Sequence, residues 1–295
     1  MITARELSAW RVMAPWNTDD MVEQDFLICK AVEAIFKDDF LATQVAMRGG
    51  TVLHKGHLSP AGRYSEDIDL VLVGSRPKGH IKRALTRILS PVLGSPSESV
   101  YTRIKLAVRN LTARSEIIRN THIYNPLSEE RALGRLKVEV NVSEQTSCYP
   151  LVNVGIDVPD DNGGSRQIIV RSYDVDEMLG TKMRALLQRE HGRDLFDLWW
   201  AIERCKIHTD LSVDPARVGH AFRFYMAQEG SSFKAADFES ELARRMRSKK
   251  FLKDMDDYLP KGVVYDPVQA HQQFLGYFLP HLDPVTSRSV TQAWR

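Results

Sequence analysis

The sequence is poor in cysteine, has no long apolar run and carries almost no net charge. Its three cysteines, Cys29, Cys148 and Cys205, are widely separated. No CxxC pair or zinc-ligand spacing links them, so a disulfide scaffold and a structural zinc site are both excluded; a sparse odd set reads as reduced thiols. No apolar stretch approaches the roughly 18 residues that a membrane-spanning helix needs. The first residues, Met1-Ile2-Thr3-Ala4-Arg5-Glu6-Leu7, carry early charges and no apolar signal core, so export is not expected and a cytoplasmic location is. With 40 Lys and Arg against 38 Asp and Glu, net charge selects no partner, and only local clustering of charge is informative. What the chain does have is length and apolar content, 295 residues with 43% apolar, which is enough to bury a core and excludes intrinsic disorder.

Hydrophobic spacing changes character along the chain. Ala4 to Met13, stopped by Pro15, and a stretch that begins after the capping cluster Thr18-Asp19-Asp20 and runs to about Phe36 read as amphipathic helices, the cluster's acids suiting the first turn of the second. Gln44 to Met47 reads as a short strand, Thr51 to Lys55 as a helical turn, and Asp67 to Val73 as a buried strand. Ile81 to Leu93 reads as a basic helix interrupted at Pro91. Two strands are expected over 101–109 and 115–124, with a turn near Asn110-Leu111-Thr112. Leu136 to Val142 alternates most cleanly, with Glu139 and Asn141 on one face and the apolar residues on the other. Asp160-Asp161-Asn162-Gly163-Gly164-Ser165 reads as a loop. Beyond Tyr173 the pattern is helical. The expected organisation is an α/β unit over 1–172 and a mostly helical domain over 173–295.

Three groups of residues carry chemistry. In Arg48-Gly49-Gly50-Thr51, two glycines between a strand and a helix allow close backbone approach to a phosphate, with Thr51 as a further donor. An ordinary tight turn would have the same sequence. In Ser65-Glu66-Asp67-Ile68-Asp69-Leu70, Asp67 and Asp69 lie two apart on a strand and share a face. Two adjacent carboxylates are unfavourable without a cation, and Mg2+ suits such oxygen donors; a solvated strand edge is the bland alternative. Glu139, on a second strand, is a candidate third acid. In the helical part, Lys182 and Arg189 are candidate phosphate cations, and Asp194 and Asp197 share one helical face. Arg244, Arg245, Arg247, Lys249, Lys250 and Lys253 put six cations into ten positions, a candidate nucleic-acid patch or else a solvated face. Arg76, Lys78, Lys82, Arg83 and Arg87 form a second basic group. Trp199-Trp200 reads as core rather than as a stacking platform.

The order GG[ST], SEDIDL, KVEV and EMLGTKMRALLQREHGRDLFDLWW, spanning about residues 45–205, resembles the AbiEii/AbiGii-type toxin nucleotidyltransferases. These are relatives of the MenT toxins within the DNA polymerase β-like nucleotidyltransferase superfamily. The resemblance implies an α+β fold, a polymerase β-like mixed sheet with flanking helices followed by a mostly helical C-terminal domain. It implies transfer of a nucleoside monophosphate from an NTP to a hydroxyl, with a tRNA 3′ end as acceptor and Mg2+, or alternatively Mn2+, as cofactor. It further implies a winged-helix antitoxin as partner. Gly49, Gly50 and Thr51 would hold the triphosphate, with Ser65 and Asp194 in the same nucleotide-binding motifs. Asp67 and Asp69 would bind the metal, and Lys182 would contact the phosphates. Asp197 matches a position important for activity. Glu139 falls where the superfamily often has a third metal acid, usually Asp, and Arg48 where relatives often carry Lys. Two other readings stay open at this stage: an enzyme of the same fold that modifies a protein or small molecule, and a non-catalytic nucleotide-binding regulator.

Overall fold

The structure, a computed structural model, describes residues 2–108, 111–127, 133–231 and 234–283, with the side chains of 103–115 outside the description. The expected turn residue Asn110 therefore lies outside the described residues. Three helices open the chain, α1 (Ala4–Met13), α2 (Asp19–Lys37) and α3 (Asp39–Gln44). Each begins at a side-chain cap. Thr3 and Glu6 form a reciprocal capping box, while Thr18 and Asp38 accept from the backbone N–H groups of Met21 and Leu41. Strand β1 (Val45–Arg48) runs directly into the single helical turn α4 (Gly49–Val52), which widens into a π turn over Leu53–His57.

Strand β2 (Ile68–Leu72), helix α5 (Lys78–Leu93) and strands β3 (Glu98–Val108), β4 (Leu111–Tyr124), β5 (Gly134–Asn141), β6 (Val152–Pro159) and β7 (Ser165–Ser172) follow. The seven strands form one mixed sheet in the order β3-β4-β5-β2-β1-β7-β6, with β2–β5 and β1–β7 parallel and the other neighbours antiparallel. Helix α5 runs through Pro91 instead of breaking there. Proline removes only one N–H in the last turn, and the helix ends at Gly94, where φ is +76°. The β6–β7 hairpin was not expected. Its signal is the alternation of Val152, Val154, Ile156 and Val158, interrupted for the eye by Gly155 and Pro159. Because β6 is an edge strand, it tolerates both.

The sheet faces differ sharply. Val45, Met47, Ile68, Leu70, Leu72, Val138 and Val140 alternate onto one face and are fully or almost fully buried. Helices α2 and α5 pack on the sheet, and the Asn120 amide on β4 reaches Thr86 on α5 (3.4 Å). The opposite face carries Arg48, Asp69 and Glu139.

After the sheet come α6 (Val175–Gln188), α7 (Gly192–Ile207), α8 (Pro215–Gln228), α9 (Ala235–Arg245), α10 (Lys249–Leu252) and α11 (Pro267–Tyr277). The fold is α+β. The chain forms two compact units, one of Met1–Val175 together with Asp256–Val264, the other of Asp176–Met255 and the residues from Tyr265 onward. A short segment from deep in the helical half thus completes the sheet unit.

Candidate active site

The sheet register lines up four charged residues. Arg48 on β1 faces Asp69 on β2, Asp69 faces Glu139 on β5, and Glu139 faces Arg119 on β4. Directly opposed residues share a face, so the row reads cation, acid, acid, cation. The outer cations balance it: Arg119 Nε donates to Glu139 Oε1 at 2.6 Å, and Arg48 pairs with Glu144. Burial opposes the charge on Arg48, but Glu144, Tyr173 and Asp69 more than offset it and hold the guanidinium firmly protonated. Asp67 lies one residue before β2, and its carboxylate meets the Lys137 ammonium at 3.1 Å.

The glycines fit this row tightly. Gly49 has φ +81°, a conformation that suits glycine, and a Cβ there would sit 2.0 Å from Asp69 Oδ2. A Cβ on Gly50 would sit 2.6 Å from the Arg63 guanidinium and 3.0 Å from Ser65 Oγ. Backbone and carboxylate are therefore packed against each other with no room for a methyl group. Thr51 is buried, and its hydroxyl donates to the Asp67 carbonyl at 2.6 Å, with Ser65 Oγ 2.9 Å away. A carbonyl only accepts, so the Thr51 proton goes there and Ser65 is left to donate to Thr51. Thr51 thereby ties the Gly-Gly turn to the loop that presents the acids. We expect Gly49→Ala to cost about 1–3 kcal/mol through strain at positive φ and to displace Asp69, so that transfer falls far more than stability; melting and rate measurements on one preparation check this.

Burial raises the Asp67 pKa to about 6, with Asp69 and Glu66 adding to the rise and Lys137 opposing it. A cation beside Asp67 would favour its charged form and offset that rise. The donor set of Asp67 and Asp69 fits a hard divalent ion such as Mg2+, which takes oxygen ligands and keeps waters or phosphate oxygens in its other positions. Glu139, the candidate third acid, lies directly opposite Asp69, and Arg119 engages one of its two carboxylate oxygens. Among the described residues no three His, Cys, Asp or Glu side chains are grouped to hold a metal by themselves.

In the helical unit, Lys182 on α6 is buried, with its ammonium 2.7 Å from Asp197 and 3.5 Å from Asp194 on α7. Both acids are fully buried, three residues apart on one helical face. Arg189 closes on Asp194 through two bonds of 2.7 and 2.8 Å. Burial works against the Asp194 charge, and Arg189 and then Lys182 overcome it, keeping its pKa low. Phe196, Trp199, Trp200 and Tyr265 pack with ring centroids 5.0–6.0 Å apart, which places both tryptophans in an aromatic cluster, Trp199 buried and Trp200 half-buried.

The basic stretch is not one helix: α9 ends at Arg245 and α10 begins at Lys249. Arg244, Arg247, Lys249, Lys250 and Lys253 are exposed. Arg245 is a correction to the expected patch. It is 2% exposed, and its guanidinium bonds the carbonyls of Leu186, Leu187 and Arg189 around the C-terminal end of α6. It satisfies helix-end acceptors instead of facing solvent. In the other basic group, Lys78 pairs with Glu116 (2.5 Å), Lys82 bonds the Ser99 carbonyl (2.8 Å) and Arg87 pairs with Asp38 (2.9 Å).

Sequence reasoning missed Lys137, Arg119, Glu144, Arg63 and Gln24. Lys137 had a signal, two residues from Glu139 on an alternating strand. The others meet the site only through register or loop closure.

A family model for the nucleotidyl transferase AbiEii toxin of type IV toxin–antitoxin systems matches residues 30–275. A search of curated proteins finds no match. Among solved structures, the chain is similar to MenT4, a nucleotidyltransferase toxin from Mycobacterium tuberculosis H37Rv. The TM-score is 0.59 at 14% identity, over 96% of this chain and 91% of that one. No helix among the described residues is long and apolar enough to cross a membrane. With its mixed sheet, paired acids and a match across most of its length, this chain belongs to the AbiEii nucleotidyl transferase toxin family of type IV toxin–antitoxin systems.

Proposed function

We propose that the protein transfers a nucleoside monophosphate from an NTP to the 3′ end of tRNA, releasing pyrophosphate. The observation that carries this reading is the packing of the Asp69 carboxylate against Gly49, which brings a phosphate-approach turn and an acid pair to one point. The acceptor hydroxyl attacks the α-phosphate in line, and catalysis consists of positioning and charge stabilisation. Mg2+, with Mn2+ as an alternative, would be held by Asp67 and Asp69 and would supply charge neutralisation and activation of the hydroxyl. Gly49 and Gly50 admit the triphosphate close to the backbone, Thr51 and Ser65 hold the acid loop, and Arg48 and Arg119 fix the row on either side. Lys182 is the proposed triphosphate cation, with Asp197 and Asp194 holding its ammonium. Glu139, with one oxygen held by Arg119, is the proposed base or third ligand. A winged-helix antitoxin is the proposed partner.

Incubation with each α-labelled NTP, Mg2+ and purified tRNA tests the reading. Label from one NTP at the tRNA 3′ end is expected. Label on protein instead, or on neither, overturns the acceptor assignment.

The exposed cations of the 244–253 segment are the proposed RNA contacts. Changing Arg244, Arg247, Lys249 and Lys250 to Ala is expected to weaken tRNA binding and flatten its salt dependence, by roughly 0.7–0.9 in log–log slope per lost phosphate contact. NTP use should be unaffected. Arg245 is left intact because its burial would confuse folding with binding. Binding titrations at several salt concentrations decide, and an unchanged slope means a solvated face.

A further inference from the structure

The loop that presents the acids, Arg63 to Asp67, lies outside any helix or strand, so its shape depends on bonds from elsewhere. Three residues remote in sequence hold its backbone. Gln24 on α2 donates to the Glu66 carbonyl (2.8 Å) and to the Arg135 carbonyl (3.2 Å). Thr51 donates to the Asp67 carbonyl. The third is Tyr258, whose carbonyl accepts from the Tyr64 N–H at 2.9 Å and whose hydroxyl donates to Glu66 Oε2 at 3.1 Å. Tyr64 is itself fixed, 2% exposed and edge-on to Trp16 at 5.3 Å. The neighbour of Tyr258, Leu259, is anchored in turn, its carbonyl accepting from Asn17 Nδ2 at 2.7 Å.

We propose that the re-entrant segment Asp256–Val264 is a strap that positions the metal-binding loop, with Tyr258 as its positioning residue for Asp67. The proposal rests on the nucleotidyl-transfer reading for its kinetic consequence, though not for its structural one. Gln24 and Thr51 hold the loop at the carbonyls of Glu66 and Asp67. Tyr258 grips it at a different residue, Tyr64, and through a charge-assisted bond to the side chain next to Asp67. A carboxylate ligand displaced by about 1 Å can cost on the order of 100-fold in rate, so a loop without regular structure needs such fixing.

Tyr258→Phe keeps the ring and the backbone bond and removes only the hydroxyl. The expected result is a roughly tenfold lower kcat with unchanged KM for the NTP and a melting temperature within about 2 °C of wild type. Glu66→Ala should give the same loss, and the double variant should be no worse than either single one. Glu66→Gln, which keeps an acceptor for the tyrosine, should recover most of the rate. Hydrogen exchange at the amides of 64–69, measured without nucleotide or metal, should be faster in Tyr258→Phe and near normal in Glu66→Gln. Unchanged kcat and unchanged exchange in Tyr258→Phe overturn the strap, as does a lower melting temperature with kcat intact. If the wild-type protein transfers no nucleotide, the functional reading fails and the exchange measurement alone still decides the strap.

Discussion

Replacing Asp67 or Asp69 by asparagine is expected to reduce nucleotide transfer on the order of 1000-fold, about 4 kcal/mol in the barrier, while leaving the protein folded. The stability effect at Asp67 should have the less familiar sign. A carboxyl whose pKa is raised by folding binds its proton more tightly in the folded state, so it costs nothing well below pH 4. The cost appears as the pH rises toward about 6 and is fully present above that. Lys137 recovers part of it, and the Asp67 side chain is one-third exposed, which limits the total. Without metal at pH 8, Asp67→Asn should therefore melt a few degrees higher than wild type, and the difference should vanish near pH 4. Melting curves at the two pH values, run with chelator, check the sign. Near-normal transfer by either variant with Mg2+ present would remove the acid pair from the active site.

Lys182→Ala should have the largest effect on stability, because its ammonium lies between two fully buried carboxylates. Breaking a buried pair from one side typically costs about 3–5 kcal/mol, and a fall in melting temperature on the order of 10 °C is expected. Loss of transfer in that variant would then say nothing about phosphate. The informative protein is Lys182→Met with Asp197→Leu, which removes both members of the closest pair and should regain most of the stability while remaining unable to use NTP. If this double variant melts like wild type and titrates NTP normally, Lys182 is a structural cation only. Arg189 continues to hold Asp194 in both variants, so the readout concerns Lys182 and Asp197.

What could be read from the sequence follows from how far each signal reaches along it. The β5 strand, the capping cluster at Thr18 and the Gly49-Gly50 turn all rest on spacings of a few residues, and local physics suffices for them. Asp67 and Asp69 share a face because strands alternate, whatever surrounds them. Arg119 meets Glu139 only through the pairing of strands, and Glu144 meets Arg48 from the loop after β5, and no spacing encodes either. Arg245 misled for the same reason: six neighbouring cations look alike in one dimension, while the carbonyls that bury one of them belong to a helix more than fifty residues earlier. A single boundary drawn where the pattern turns helical likewise cannot express the return of Asp256–Val264 to the first unit.

That return bears on biosynthesis. Domains tend to fold in order as they leave the ribosome, at about 5–20 residues per second. The sheet of this protein has all its strands by Ser172, yet the Tyr258 carbonyl that pairs with Tyr64 is made roughly 90 residues later. A nascent chain can therefore assemble the sheet for several seconds before the acid loop receives its last tether. For a member of a toxin family, this ordering leaves the acid loop one tether short until the 256–264 segment has been synthesised.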